Sequence, residues 1–184
     1  MFQRMEPAHR EFIERQKIFF NASAGAGGRV NVSPRAAALL RVPDECTAVY
    51  LDLTGSGNET AAHLRATGRL TLMFCAFEGA PMILRLYGKG RILRRGGPEY
   101  AELLALHFAD TEIPGSRQMV RLDVEAVQTS CGYNVPLFEY VAERDTLVRW
   151  AENKGPEGLE AYRLQNNANS IDGLPTGLFD EAGV

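Results

Sequence analysis

Residues 51–65, LDLTGSGNETAAHLR, decide how the chain is to be read. An apolar run ends at Leu53, a turn of small residues follows, and ETAAHLR begins a helix. Strand, glycine turn and helix is also the order of a dinucleotide-binding fingerprint, here with Gly55, Gly57 and Thr60 at G-x-G-x-x-T. That fingerprint belongs to a doubly wound sheet, with a crossover helix after nearly every strand and an acidic residue about 20 positions further on. Glu78 stands near that distance, but the strand before it leads into another strand and not into a helix. The topology therefore rejects a doubly wound fold. The chemistry of the turn survives the rejection. The first N–H groups of the helix have no intrahelical partner, and a phosphate can accept from them and from the hydroxyls of Ser56 and Thr60. The competing reading is that Ser56 or Asn58 simply caps the helix.

Working outward, the chain reads mostly as consecutive strands. Residues 6–16 form a weakly amphipathic helix carrying Phe12 and Ile13, and IFFNASA is aromatic and β-prone. GAGG then makes a tight connection to the return strand RVNVSPR. CTAVYLDL leads into the glycine turn, and Gly68 closes the helix after it. RLTLMFCAF is nearly all apolar, as a strand buried on both faces would be. MILRLYGKGRILR alternates, with Gly88 and Gly90 marking a bulge or bend. PEYAELLALHF has helical spacing, and MVRLDVEAVQTS is a long alternating strand. RDTLVRWAENKGPEGLEAYRLQNN reads as two helical pieces split at Gly155–Pro156, followed by an irregular but apolar tail. Six strands with few helical intervals favour an antiparallel barrel with helices outside it.

Bulk properties narrow the function classes. A net charge of −3 gives no reason to expect nucleic acid or an anionic membrane as partner. No apolar run approaches the roughly 20 residues that span a bilayer. Cys46, Cys75 and Cys131 are too few and too scattered for a disulfide framework or a zinc site, and the isolated histidines suggest no metal. The expected compartment is the reducing cytoplasm. Asn-x-Ser/Thr triplets begin at Asn21, Asn31 and Asn58, and without export they carry no meaning as glycosylation acceptors.

The ordered set FFNASAGAGGRVNVSPR (19–35), AVYLDLTGSGNETAAHL (48–64) and RLTLMFCAF (69–77) resembles the pyridoxamine 5'-phosphate oxidase-like family, the flavin-binding split barrels, over roughly residues 8–140. The resemblance implies an α+β fold: a six-stranded antiparallel split β-barrel with flanking helices over residues 1–140. A C-terminal helical extension and tail over 141–184 would pack on the barrel or on a dimer partner. It further implies a homodimer with FMN in clefts at the subunit interface. Carried onto this chain, Arg29, Val30, Asn31, Val32 and Ser33 would run along the isoalloxazine ring. Arg29 and Arg35 would meet the phosphate, and Leu53, Thr54, Gly55, Ser56, Gly57, Asn58 and Thr60 would complete its cradle. Cys131 and Tyr133, at the end of the long alternating strand, would lie near the cleft. The chain departs from the family at one point: an Arg–Lys pair at the helix start is replaced by Glu59 and Thr60.

The expected function is that of an FMN-dependent oxidoreductase transferring hydride through flavin N5, acting on a small-molecule substrate that the sequence does not identify. The departure at Glu59 leaves two alternatives open: a non-catalytic split barrel that binds flavin or haem, and a deazaflavin-dependent reductase. No side chain declares itself as a general acid or base. His63, one helical turn after Glu59, reads as a helix-surface or packed residue, and Trp150 as an anchor for the C-terminal helix.

Overall fold

The computed structural model describes residues 1–180, so the last four residues of the expected tail lie outside the described region. The elements run α1 (Pro7–Arg15), β1 (Ile18–Ala24), β2 (Val30–Ala36), β3 (Leu40–Asp44), β4 (Thr47–Leu53), α2 (Glu59–Thr67), β5 (Arg69–Cys75), β6 (Ile83–Arg94), α3 (Pro98–His107), β7 (Ser116–Ser130) and α4 (Thr146–Asn166). The strands form one antiparallel sheet in the order β2-β1-β5-β6-β7-β4-β3.

Two long strands make this sheet curl. β6 pairs along its length with β7, while its first half also pairs with β5 and the first half of β7 pairs with β4. The ladder between them shifts register at Tyr87/Gly88, which bends both strands and turns the two halves of the sheet toward each other. The bend needs a glycine: a Cβ on Gly88 would stand 2.0 Å from the carbonyl oxygen of Asp123. The curl brings β1 and β4, near opposite ends of the strand order, into contact through the interior. Phe19 of β1 meets Tyr50 of β4 edge-on at 5.2 Å between ring centroids and stacks on Phe74 of β5 at 5.8 Å. Leu72, Leu84, Leu86, Val120 and Leu122 fill the same core, and Met5, Phe12 and Ile13 close one end of it.

β4 is buried at all seven positions, because its second face is also covered. There Val49, Leu51, Leu93 and Met119 pack against Tyr100, Leu103, Leu104 and Phe108 of α3 and its C-terminal end. The doubly apolar pattern TAVYLDL is thus produced by a core on one side and a helix on the other. α4 keeps its expected break: Gly155 adopts φ 66°, ψ 173°, and Pro156 restarts the helix.

Two expectations are corrected. The sheet has seven strands and not six, and no ladder joins β2 to β3, so the curled sheet is not a closed barrel. The additional strand is β3, which pairs with β4 on either side of a bulge between Arg41 and Asp44. Pro43 and its charged neighbours hide this strand from any alternation count; a proline is tolerated there because β3 is an edge.

Gly88→Ala should destabilise the protein by about 1–3 kcal/mol, the usual cost of overpacking, seen as a lowered urea midpoint. Gly27→Ala, where a Cβ meets nothing within 4 Å, should leave the midpoint unchanged.

Candidate functional site

A strand alternates its side chains, so Asn21 and Ser23 of β1 share one face, as do Asn31, Ser33 and Arg35 of β2. Both rows turn toward the start of α2. Asn21 Nδ2 donates to Thr60 Oγ1 at 2.7 Å, and Asn31 Nδ2 donates to the same oxygen at 3.2 Å. Ser33 Oγ donates to Asn31 Oδ1 at 3.1 Å, and Ser23 Oγ lies 3.1 Å from His63 Nδ1. The three Asn-x-Ser/Thr triplets of the sequence therefore converge on one place.

Behind this row sits Asp52, buried at the end of β4. Arg117 Nη2 and Gln118 Nε2 donate to its Oδ2 at 2.7 and 2.8 Å. Arg35 Nη2 lies 3.2 Å from Oδ1, an ion pair too poorly aligned to be a hydrogen bond. Burial alone would push the Asp52 carboxyl up, but Arg117 and then Arg35 outweigh it and hold the carboxyl below its ordinary range. Arg35 also reaches back, with Nε donating to Asn21 Oδ1 at 3.2 Å. One buried carboxylate thus connects both rows to β7.

The glycine turn is held from the same side. Arg117 Nη1 donates to Gly57 O at 3.1 Å and to Asn167 Oδ1 at 2.7 Å, while Asn167 Nδ2 donates to Gly55 O at 3.1 Å. Asn58 stands at the N-cap of α2 without making a side-chain cap; its Oδ1 instead accepts from Gln118 Nε2 at 2.9 Å. The capping expectation for Asn58 is corrected for that reason, and Ser56 is exposed on the turn. Both Glu59 carboxylate oxygens accept from Ile171 N, at 3.0 and 3.1 Å. Asp172 accepts from the Arg29 backbone N at 2.7 Å and pairs with its guanidinium. The tail after α4 therefore lies across the start of α2 and the head of β2.

The residues singled out from the sequence divide into groups. Asn31, Ser33, Arg35, Asn58 and Thr60 come together, with the Gly55 and Gly57 carbonyls beside them. Val30 and Val32 face the other way, 69% and 60% exposed on an edge strand. Arg29 is exposed and engaged by the tail. Leu53 is buried, and Thr54 turns aside, donating to Gly115 O at 2.9 Å and accepting from Arg163 Nε at 2.8 Å. Cys131 and Tyr133 are exposed beyond β7, and within this chain neither reaches the row. His63 does not pair with Glu59 and is not on the surface; it is buried against Ser23. Sequence reasoning missed Asn21, Ser23, Asp52, Arg117, Gln118 and Asn167. The available signal was the spacing of Asn and Ser two apart in otherwise apolar or small-residue strands, which puts both on one face.

Five buried side-chain polar atoms have no hydrogen-bond partner among the described residues: Tyr50 Oη, Asp52 Oδ1, Asn58 Nδ2, His63 Nε2 and Arg117 Nε. All belong to residues of this network or border it. Tyr50 lies next to Arg35, whose guanidinium carbon is 6.0 Å from the Tyr50 ring centroid, and burial pushes its hydroxyl well up, so it stays protonated. Buried polar atoms are rarely left unpaired, and their concentration here marks a place with spare hydrogen-bonding capacity. On the opposite face of the β1–β2 hairpin from the polar row lies a separate cleft of about 900 Å³, lined by Phe20, Pro34, Phe77, Phe138 and Tyr140 together with charged residues such as Lys17 and Glu78.

Asp52→Asn should cost about 3–5 kcal/mol near neutral pH, because two arginines lose their buried countercharge. The native carboxyl titrates below its unfolded value of about 3.9, so its contribution is complete above that value and is lost as pH falls through the lower native pKa. Urea titrations over a pH series should show an acid-side loss in the wild type that is reduced in the variant.

Comparisons with known proteins agree with this architecture. The family model for pyridoxamine 5'-phosphate oxidase matches residues 5–131. The pyridoxamine 5'-phosphate oxidase family protein ustO of Aspergillus flavus is 37% identical over 189 residues, covering 90% of this chain and 73% of that protein. Among solved structures, HupZ of Group A Streptococcus aligns with a TM-score of 0.56 at 20% identity, over 69% of this chain and 94% of its own. A putative pyridoxamine 5'-phosphate oxidase of Lactobacillus delbrueckii aligns at 0.54 and 17% identity, over 69% and 95%. The heme storage protein HutZ of Vibrio cholerae aligns at 0.50 and 18%, over 70% and 94%. At such identities the structural matches speak for the fold alone, whereas the family model and the Aspergillus relative speak for descent: the chain belongs to the pyridoxamine 5'-phosphate oxidase family.

Proposed function

We propose that the protein is an FMN-dependent oxidoreductase acting on a small organic substrate. The observation that carries this reading is the group of amides and hydroxyls gathered with Arg35 at the start of α2. The polar, anionic arm of a ligand suits such a group.

The residues present fit that cofactor. Thr60, the first-turn N–H groups of α2 and Arg35 would hold the phosphate, and Asn31 and Ser33 would bond the hydroxyls of the ribityl arm. β2 is the last strand of the sheet, so main-chain N–H groups on its outer edge would bond a ring lying along Arg29–Ser33, the Arg29 N–H itself being taken by Asp172. FMN when bound supplies hydride chemistry at its ring. The chain's own residues bind, orient and exclude water. On the outer face of the hairpin Phe20 and Pro34 offer an apolar wall for an organic substrate, and Phe138, tilted 31° to Phe77 at 5.3 Å between centroids, extends it.

The working form in this reading is a homodimer. Val30 and Val32 on the free edge, with Leu137, Phe138 and Val141 on the loop after β7, are exposed apolar residues that a second copy would cover. Cys131 and Tyr133 would then act from the interface. The reading places the protein in the cytoplasm, with residues 1–140 as the flavin-binding unit and 141–184 as an extension docked on it.

One observation favours a second reading. Glu59 stands where the family carries a basic residue, and a carboxylate beside a phosphate weakens its binding. That departure raises the two alternatives, a non-catalytic split-barrel protein that binds flavin or haem and a reductase that takes a deazaflavin.

Purified protein mixed with excess FMN and passed over a gel-filtration column should retain near one flavin per subunit. Thr60→Ala removes the hydroxyl shared by Asn21 and Asn31 and should weaken retention by about tenfold, the effect of roughly 1.4 kcal/mol. No retention by the wild type would sink the FMN reading, and a Soret band on adding haem would then favour the binding protein.

A further inference from the structure

A second large cleft lies on the far side of α2. Thr60 and His63 face β1, whereas Ala61 and Arg65 of the same helix line a cavity of about 1270 Å³ between the sheet, α4 and the tail. One wall of it, α4 and the segment after it, falls outside the residues matched by the family model. The space is therefore built by this chain's own extension.

Five arginines line it: Arg65, Arg94, Arg95, Arg117 and Arg163. Four have anionic partners. Arg65 pairs with Asp180, and Arg94 reaches the same carboxylate at 3.8 Å. Arg95 grips Glu112 through Nε and Nη2, and Arg117 holds Asp52. Arg163 differs. No carboxylate among the described residues lies within ion-pairing distance of it, and its bonds go to neutral acceptors: Thr54 Oγ1 at 2.8 Å, Ser116 O at 3.0 Å and Gly115 O at 3.4 Å. Burial, then Arg95 and Arg117, push its guanidinium below the ordinary range, against a smaller opposing pull from Glu160 and Glu112. Arg117 also lines the cavity but is committed to Asp52, Gly57 O and Asn167, which leaves Arg163 as the lining guanidinium without a carboxylate. Ile113, Leu159, Leu178 and Phe179 supply apolar wall around these charges.

A half-buried guanidinium held only by neutral acceptors is a poor end state for a charge, since burial without a counterion is costly. A planar carboxylate or a phosphate matches its fork. We infer that this cleft binds a small organic anion, an apolar body carrying a phosphate or carboxylate, with the oxyanion on Arg163 and the body against Leu159 and Phe179. The site does not depend on the flavin reading, because the two open on different faces of α2.

Titration calorimetry of the full chain with inorganic phosphate, phenyl phosphate and benzoate tests it. One equivalent of phenyl phosphate or benzoate should bind, the tighter of the two naming the oxyanion, and phenyl phosphate should bind more tightly than inorganic phosphate. Arg163→Gln should weaken that binding by at least about tenfold, the value of one charge-assisted bond pair, and Arg163→Lys should restore part of it. Phe179→Ala should weaken phenyl phosphate and leave inorganic phosphate unchanged, which keeps the test open if Arg163→Gln does not fold. No binding by the wild type, or equal binding by a folded Arg163→Gln, overturns the inference. So does a loss of FMN retention in step with phenyl phosphate binding, since the two sites would then be one.

Discussion

The carboxylate of Asp52 is the constraint on which the rest of the structure depends. It is taken out of water at the end of a strand buried on both faces, a position that only paired countercharge makes tolerable. Arg117 supplies that charge from β7 and Arg35 from β2, so one residue ties the interior of the sheet to its edge. Arg117 also holds Gly57 O and Asn167, and through them the glycine turn and the end of α4. The start of α2 is set by this chain of bonds and not by a side-chain cap, which is why Asn58 is free to face Gln118. A turn fixed from behind holds Thr60 at its front, where its hydroxyl accepts from both Asn21 and Asn31.

Much of the fold was legible because it is written in local chemistry. The β1–β2 hairpin follows from GAGG between two β-prone runs, the ends of α2 and α3 from small residues and periodicity, and the break in α4 from Gly155–Pro156. β3 was not legible, since an edge strand of five residues with Pro43 is held by its neighbour β4 and not by its own pattern. The site divides along the same line. The row on β2 and Thr60 could be placed from a resemblance, but Asp52 reads as one acid in an apolar strand. Its partner lies 65 positions further on, a separation that no spacing rule covers. The same holds for Asn167, which reaches the turn across 112 positions. The Asn-x-Ser/Thr triplets at Asn21 and Asn31 carry the remaining signal, as pairs two apart on one strand face and not as modification sites.

The replacement of a basic pair by Glu59 and Thr60 has a physical explanation within the chain. A helix start favours negative charge, and Glu59 provides it while its oxygens hold the Ile171 N–H. The carboxylate is thus the fastener of the tail, and the tail in turn brings Asp172 to Arg29 and Asp180 to Arg65. Three charged groups, Glu59, Arg29 and Arg65, are thus engaged by one folded-back segment. Any anion at the head of α2 meets a helix dipole already partly offset, so its binding rests on Arg35 and neutral donors. Neutral donors orient a ligand as well as charged ones do but attract it less, and what the site loses in charge it must regain from the apolar body of the ligand.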